Sequence, residues 1–209
     1  MSTPDVVIAA SGGANIASLQ FALQRLGSHG EVSADAARIR AASHVILPGV
    51  GAAADAMLRL GQSGLADLIP RLTQPVLGIC LGMQLLFERS EEHDGATGLG
   101  LLGGAVRRLR APGLKLPHIG WSELRWRQAT PLSEGLPDPA YLYHVHSFAP
   151  QPTEEDVVLA TADYGEPFAA IVGRGNVFGT QSHPEKSDAP GLALLGHFTR
   201  RGGRATVPA

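Results

Sequence analysis

Cys80, the only cysteine of the 209-residue chain, stands between two glycines in the segment Gly78-Ile79-Cys80-Leu81-Gly82. An apolar run, Pro75-Val76-Leu77, precedes it, and a stretch with helical character, 84–88, follows it. A residue at such a strand-to-helix junction presents its side chain outward, and the N–H groups of the helix start face an incoming anion. Because a thiolate held there is a usable nucleophile, the pattern indicates nucleophilic catalysis. A small buried core cysteine is the alternative, but a core strand gains nothing from two glycines beside its cysteine.

A catalytic thiol needs a base and an acid that orients the base, and the segment Gln181-Ser182-His183-Pro184-Glu185-Lys186-Ser187 offers both. If the segment is extended, His183 and Glu185 lie on one face, because side chains alternate along a strand. Pro184 favours that conformation at the residue before it. Glu185 would then hold the His183 ring while the other ring nitrogen faces Cys80. A surface or capping histidine is the alternative interpretation of His183 taken alone.

Acyl transfer also needs two N–H donors that face a developing oxyanion. Leu81 N–H, at the predicted helix start, is one of them. The turn Pro48-Gly49-Val50-Gly51 follows another apolar run and is a source of the second donor, from Val50 or Gly51. An ordinary strand-to-helix turn is the alternative explanation of these glycines.

Short β-rich runs alternate with helical patterns in the first half of the chain. The predicted strands are 6–10, 44–47 and 76–79, and the predicted helices are 16–26, 52–60 and the stretch after Cys80. This alternation implies parallel strands covered by helices on both faces. Sites in such sheets form at the carboxyl ends of strands, where Cys80 and the turn 48–51 both fall.

The second half has shorter runs broken by proline and glycine, which is typical of antiparallel or mixed strands and hairpins. The predicted strands there are 105–109, 141–148, 157–160, 169–172 and 177–181, and a final helix covers 191–200. We therefore expect an α/β fold with a mostly parallel central sheet, helices on both of its faces, and a smaller antiparallel or mixed β section. Residues 1–200 are expected to form a single domain and residues 201–209 a loose tail.

Composition narrows the function classes. Hydrophobic residues make up 44% of the chain and charged residues 17%, as in globular proteins. The net charge of −2 gives no footprint of nucleic-acid binding, and no apolar run approaches the roughly 20 residues of a membrane span. A single cysteine excludes an internal disulfide and a thiolate-rich zinc site. No cluster of His, Asp and Glu has metal-ligand spacing. We therefore expect neither a metal nor another cofactor. The first residues lack a signal-peptide pattern, from which we expect a cytoplasmic location.

The cysteine segment, the order Cys80, His183, Glu185 and the turn 48–51 together resemble the class I (triad) glutamine amidotransferases over nearly the whole chain. The resemblance implies hydrolysis of the side-chain amide of glutamine through a cysteinyl thioester, with ammonia delivered to a synthase. It implies that Cys80 is the nucleophile, His183 the acid and base, and Glu185 the orienting acid. The glutamine-binding residues that it implies are Gln84, Glu92, His146, Ser147 and Phe148.

Further segments resemble one branch of that family, the glutaminase subunits of imidazole glycerol phosphate synthases. These segments are Leu47-Pro48-Gly49-Val50-Gly51-Ala52 followed by Asp55-Ala56-Met57, Pro117-His118-Ile119-Gly120-Trp121, Tyr143 with His146-Ser147-Phe148, and His183-Pro184-Glu185-Lys186-Ser187. This resemblance implies a role in histidine biosynthesis and a heterodimer with a separate (β/α)8 cyclase subunit that consumes the ammonia. The residues that it implies at the partner interface are Asn15, Trp121, Tyr143 and Lys186. Their plainer interpretations are a turn residue, two core aromatic residues and a solvated charge.

The chain departs from that branch at three places. Ala10-Ser11 stands where Asp-Tyr is usual, the turn 12–16 is permuted, and Ser182 replaces a usual phenylalanine. These departures keep open a partner-binding subunit of the same fold that has lost efficient catalysis, which the intact Cys80 and His183 oppose.

A glutaminase subunit of another amidotransferase, serving anthranilate, guanylate or pyridoxal phosphate synthesis, is the nearer alternative. The segment 117–121 and the turn that contains Asn15 argue against it.

Overall fold

Two β-sheets and the helices packed on them form the part of the chain that the computed structural model describes, residues 4–11, 16–92 and 95–200. The strands are β1 (Asp5–Ala9), β2 (His29–Ser33), β3 (His44–Leu47), β4 (Val76–Ile79), β5 (Phe87–Ser90), β6 (Ala96–Thr97), β7 (Leu102–Arg108), β8 (His118–Trp126), β9 (Ala140–His146), β10 (Phe148–Pro152), β11 (Val158–Asp163), β12 (Pro167–Arg174) and β13 (Val177–Thr180). The α-helices are α1 (Ile16–Arg25), α2 (Ala36–Ala41), α3 (Ala53–Gln62), α4 (Leu65–Leu68), α5 (Leu81–Gln84) and α6 (Asp188–Arg200). Short 3₁₀ turns cover Ile69–Arg71, Pro131–Ser133, Glu155–Val157 and Pro184–Lys186.

The larger sheet has nine strands in the order β2-β1-β3-β4-β13-β12-β11-β8-β9. From β2 to β13 neighbouring strands are parallel, and from β13 to β9 they are antiparallel. The smaller sheet, β10-β7-β5-β6, mixes both directions. The predicted α/β class is thus confirmed, but the expectation of a mostly parallel central sheet needs correction, because only four of the eight strand pairs described in this sheet are parallel. The parallel part holds the nucleophile segment, and much of the antiparallel part extends the same sheet.

Alternate residues of the parallel strands fill two separate apolar cores, one on each face of the sheet. Val6 and Ile8 pack with α1 and α6, whereas Val7 and Ala9 pack with the α2–α4 side. Every residue of β3 and of β4 is buried. Strands covered on both faces read as continuous apolar runs, which explains why the sequence revealed them.

In the first half of the chain, the predicted local structure needs correction. The predicted helix over 84–88 is wrong, because α5 ends at Gln84 and β5 begins at Phe87. The carbonyl groups of Leu85 and Leu86 accept hydrogen bonds from N–H groups of residues 99, 101 and 102, and this pairing draws the chain into the smaller sheet. The prediction also lacked β2, an edge strand in which Gly30 is the one buried residue and the apolar signal is therefore weak. Residues 12–15 and 201–209 lie outside the described residues.

Glycines allow the nucleophile segment to pack against its neighbours backbone to backbone. A Cβ at Gly82 would overlap the carbonyl oxygen of Leu47, at the end of β3. A Cβ at Gly78 would lie 2.6 Å from the Gly82 carbonyl oxygen, and one at Gly49 would lie 2.8 Å from Gly82 N. The start of α5 is therefore in direct contact with the turn that follows β3.

Among the described residues, no helix has both the length and the apolar character needed to cross a membrane.

Gly82→Ala should lower the free energy of unfolding by about 3 kcal/mol, the upper end for overpacking, because the new methyl group meets backbone that cannot rotate away. Urea denaturation followed by circular dichroism measures the change. Gly61→Ala is the matched control, since Gly61 lies in α3 with open space around it, and alanine there should gain up to about 1 kcal/mol. Equal effects of the two substitutions would contradict the contact with Leu47.

Candidate active site

Cys80 occupies the sharp turn between β4 and α5. Its backbone angles are φ 52° and ψ −111°, a left-handed conformation that costs a non-glycine residue of the order of 1–3 kcal/mol. The Cys80 N–H donates to the Thr180 carbonyl oxygen at 2.8 Å, which ties the turn to the end of β13. The strained turn sets the thiol at the carboxyl end of the parallel sheet, as the sequence predicted.

His183 and Glu185 form a buried pair next to Cys80. Nδ1 of His183 lies 2.9 Å from Oε1 of Glu185, and the two side chains are only 8% and 5% exposed. The predicted extended segment is wrong, because Pro184 opens the 3₁₀ turn Pro184–Lys186. That turn, and not strand alternation, folds the carboxylate of Glu185 back onto the imidazole.

Burial lowers the pKa of His183, but this effect is outweighed by hydrogen bonds with the side chains of Cys80 and Glu185 and by their charges. Together they raise the pKa of His183 to about 10. The imidazole is therefore protonated at neutral pH, and its cation is stabilised on one side by the Glu185 carboxylate and on the other by the Cys80 sulfur.

A cavity of about 320 Å³ opens at Cys80, at the lower end of the range for small-molecule sites. Its lining includes the residues predicted for nucleophile, base, oxyanion contacts and ligand binding, together with Val145, for which nothing was predicted. The lining residues are Val50, Gly51, Cys80, Leu81, Gln84, Glu92, Val145, His146, Ser147, Phe148, His183 and Lys186. Segments far apart in the sequence thus converge on the thiol.

The two predicted sources of oxyanion donors face the same cavity as Cys80. Leu81 is the first residue of α5, so its N–H has no partner within the helix. Val50 and Gly51 lie on the turn after β3, and Gly51 has a positive φ of 93° that only glycine adopts readily.

The model of the class-I glutamine amidotransferase family matches residues 15–199 of the sequence. The chain belongs to this family. The match spans both the Cys80 turn and the His183–Glu185 pair, so the site described above lies within the family's domain.

Named relatives of this amidotransferase chain are imidazole glycerol phosphate synthase subunits. Subunit HisH 2 of Legionella pneumophila (strain Paris) is 49% identical over 187 residues, which cover 89% of this chain and 92% of the relative. Subunit HisH of Moorella thermoacetica is 50% identical over 187 residues, which cover 88% of this chain and 89% of the relative.

Two solved structures share the fold. A crystal structure of a glutamine amidotransferase has a TM-score of 0.72 at 21% identity, covering 92% of this chain and 98% of that one. The structure of PurLQS from Thermotoga maritima has a TM-score of 0.71 at 22% identity, with 94% and 98% covered. At this level of identity the likeness concerns the fold alone.

Gln84 and Glu92 of the amidotransferase chain are both fixed by backbone contacts. Nε2 of Gln84 donates to the Phe148 carbonyl oxygen at 2.9 Å and to Oε1 of Gln181 at 3.1 Å. Oε2 of Glu92 accepts from Ala53 N–H at 2.9 Å and so binds the N-terminus of α3. The cavity lining therefore includes an amide and a carboxylate whose positions are fixed by hydrogen bonds.

A cluster of buried imidazoles lies behind the cavity wall. His118, His144 and His146 surround the ring of Phe168, with ring centroids 5.0–6.0 Å from it. Burial lowers the pKa of each of the three histidines, that of His146 to about 3. His146 is held neutral, and its Nδ1 donates to the Phe148 carbonyl oxygen at 2.9 Å.

Two of the four residues predicted at a partner interface, Trp121 and Tyr143, lie together on one surface. Trp121 is 46% exposed and contacts Tyr143 across the β8–β9 pair, with ring centroids 5.8 Å apart. Lys186 is exposed at the mouth of the cavity. Asn15 lies outside the described residues.

Among the described residues, no group of three or more His, Cys, Asp or Glu has the arrangement of a metal site.

Stability should pass through a maximum near pH 6.5, because the two kinds of histidine titrate in opposite senses. The raised pKa of His183 gives stabilisation that is complete below about pH 6.5 and is lost as the pH rises to about 10. The lowered pKa of His146 leaves stability intact above pH 6.5 and reduces it as the pH falls towards 3, since the unfolded state binds the proton first.

Urea denaturation from pH 4 to pH 10 tests both limbs. His183→Asn should flatten the alkaline limb and leave the acid limb, and His146→Asn should do the reverse. An alkaline limb that survives in His183→Asn would show that another group causes it.

Proposed function

We propose that this chain is the glutaminase subunit of an imidazole glycerol phosphate synthase, which hydrolyses glutamine to glutamate and ammonia and passes the ammonia to a separate cyclase subunit in histidine biosynthesis. The observation that carries the proposal is the Cys80 thiol, set in a cavity against the buried His183–Glu185 pair. The identity of the synthase is inferred from the relatives that bear that name, which are about 50% identical to this chain over most of its length.

The first step is attack by the Cys80 thiolate on the side-chain amide carbon of glutamine. The hydrogen bonds that raise the pKa of His183 make its imidazole a strong acceptor for the thiol proton, and in the proposed mechanism this transfer supplies the Cys80 thiolate. The carbonyl oxygen becomes an oxyanion, which accepts from Leu81 N–H and from an N–H of Val50 or Gly51.

The second step releases ammonia. Nδ1 of His183 is engaged by Glu185, so Nε2 gives its proton to the leaving nitrogen as the tetrahedral intermediate collapses to a thioester. The imidazole, now neutral, takes a proton from water, which attacks the thioester carbon. Glutamate leaves, and the thiolate–imidazolium pair forms again.

Recognition of glutamine is assigned to the remaining lining residues. The carboxylate of Glu92 at the cavity rim suits the ammonium group of the amino acid. Gln84 and the segment 146–148 bound the opposite wall, where the Phe148 carbonyl is already held by two donors. Glutamine, which carries one ammonium group and one side-chain amide, fits this lining.

The partner surface is assigned to the outward face of the β8–β9 pair. Ile119, Trp121 and Tyr141 are 60%, 46% and 45% exposed, and strand register puts Tyr143 opposite Trp121. Aromatic residues of this exposure are enriched at protein interfaces. Tyr143 also accepts the His183 N–H at its carbonyl oxygen at 2.8 Å, so this surface is joined directly to the catalytic segment. The occupant we propose is the (β/α)8 cyclase, with Asn15 and Lys186 contributing.

Glutamate release from glutamine, measured with and without the matching cyclase subunit and its nucleotide ligand, tests the function. Cys80→Ala should abolish release, and Glu185→Gln should reduce it by about 10²–10⁴-fold, since it removes the charge that stabilises the His183 cation. Release that the cyclase leaves unchanged would keep the glutaminase and assign it to another synthase. The absence of release in every mixture would favour a partner-binding subunit without catalysis.

Trp121→Ala should weaken binding to the cyclase by at least about 2 kcal/mol, the level of an interface hot spot, because it removes the largest exposed apolar side chain of this surface. Isothermal titration calorimetry measures the affinity. Leu58→Ala, on α3, is the control for loss of an exposed apolar side chain elsewhere and should change the affinity little. If the two variants bind equally well, the interface lies on another face.

A further inference from the structure

Gln181 is a buried amide that contacts the Cys80 sulfur and for which no role was predicted from the sequence. Its side chain is fully buried at the end of β13, and its Nε2 lies 3.7 Å from Sγ of Cys80. Burying an amide without hydrogen-bond partners costs free energy, so the contacts of the Gln181 amide with its neighbours indicate its role.

The orientation of this amide is fixed by a chain of hydrogen bonds that begins at a backbone carbonyl. The Phe148 carbonyl oxygen can only accept, so the group of Gln84 that faces it is the NH₂ group. The same Nε2 has a second N–H, which donates to Oε1 of Gln181 at 3.1 Å. With its oxygen engaged, Gln181 must turn its NH₂ group towards Cys80.

The sulfur therefore lies between a donor and an acceptor. On one side lies the Val145 carbonyl oxygen, 3.8 Å away, which can accept a hydrogen bond only from the protonated thiol. On the other side the Gln181 N–H donates. A thiolate cannot donate to Val145 and is repelled by its carbonyl dipole, so the Gln181 N–H favours the ionised form and fixes the direction of the sulfur.

We propose that Gln181 is a further catalytic residue, which stabilises the Cys80 thiolate through an N–H···S hydrogen bond and is itself held in place by Gln84. The inference rests on the proposed function, in which Cys80 is the nucleophile. It gives Gln84 a positioning role in addition to its place in the cavity wall. His183 receives the thiol proton, and Gln181 supplies a neutral donor that stays in place while that proton moves.

The test is the rate at which iodoacetamide alkylates Cys80, followed by intact mass across a pH series. Gln181→Met keeps the approximate volume but has no donor, and should be alkylated about 10–100-fold more slowly at pH 7, as expected for loss of a hydrogen bond to a charged group. The rates should converge at high pH, where the thiol is ionised in every variant. Gln181→Glu should be slower still at pH 7, because a carboxylate then faces the sulfur.

Ser182→Ala is the matched control. Ser182 is the next residue, is fully buried and bonds to Thr180 Oγ1, without a contact to Cys80 among the described hydrogen bonds. It should be alkylated at the wild-type rate. Thermal unfolding of each variant separates an effect on the thiol from a loss of structure.

If the Gln181 variants do not fold, Gln84→Met provides the second test, since it frees the Gln181 amide to rotate and should slow alkylation several-fold at pH 7. A folded Gln181→Met or Gln84→Met with the wild-type alkylation profile would overturn the inference. Iodoacetamide alkylates the thiol without binding at the glutamine site. If the wild-type protein failed to hydrolyse glutamine, the proposed function would be removed. The alkylation rates would still show whether Gln181 stabilises the thiolate.

Discussion

The site depends on one close contact between backbones, that of Gly82 with the carbonyl group of Leu47. Because no side chain stands between them, the start of α5 and the turn after β3 form one unit. Cys80 has its positive φ at the end of β4, a strand paired on both sides with β3 and β13, and such a conformation persists where the surrounding structure holds it. The thiol and both proposed sources of oxyanion donors are therefore placed by the central sheet, and the strain of the turn is offset by its packing.

Burial and hydrogen-bond partners give the histidines of the site different protonation states. His183 has two groups that favour its cation, whereas the nearby His146 is buried with a carbonyl partner and is held neutral. One imidazole can thus carry the proton of the proposed reaction, whereas His146 stays neutral in the cavity lining. This difference arises from what each ring contacts, since the residue type is the same.

The β8–β9 pair and the segment that holds His183 share hydrogen bonds. Tyr143 accepts from His183 N–H and donates its own N–H to Ser187 Oγ, which in turn donates to the His183 carbonyl oxygen. A protein seated on the outward face of β8 and β9, as proposed, would act on β9, whose Tyr143 carbonyl binds the His183 N–H. Such an arrangement gives a short physical route from a bound partner to the site.

The sequence by itself determined the elements whose signals are local. The glycines around Cys80, the buried runs of β3 and β4 and the His183–Glu185 spacing predicted the confirmed α/β class and the neighbourhood of the site. Tertiary structure decided the rest. The chain after Gln84 became a strand because carbonyl groups at Leu85 and Leu86 found partners more than ten residues away. The contact of Gln84 with Gln181 joins residues 97 positions apart, and no period or motif along the chain encodes such a pairing, because only the packed sheet brings the two amides together.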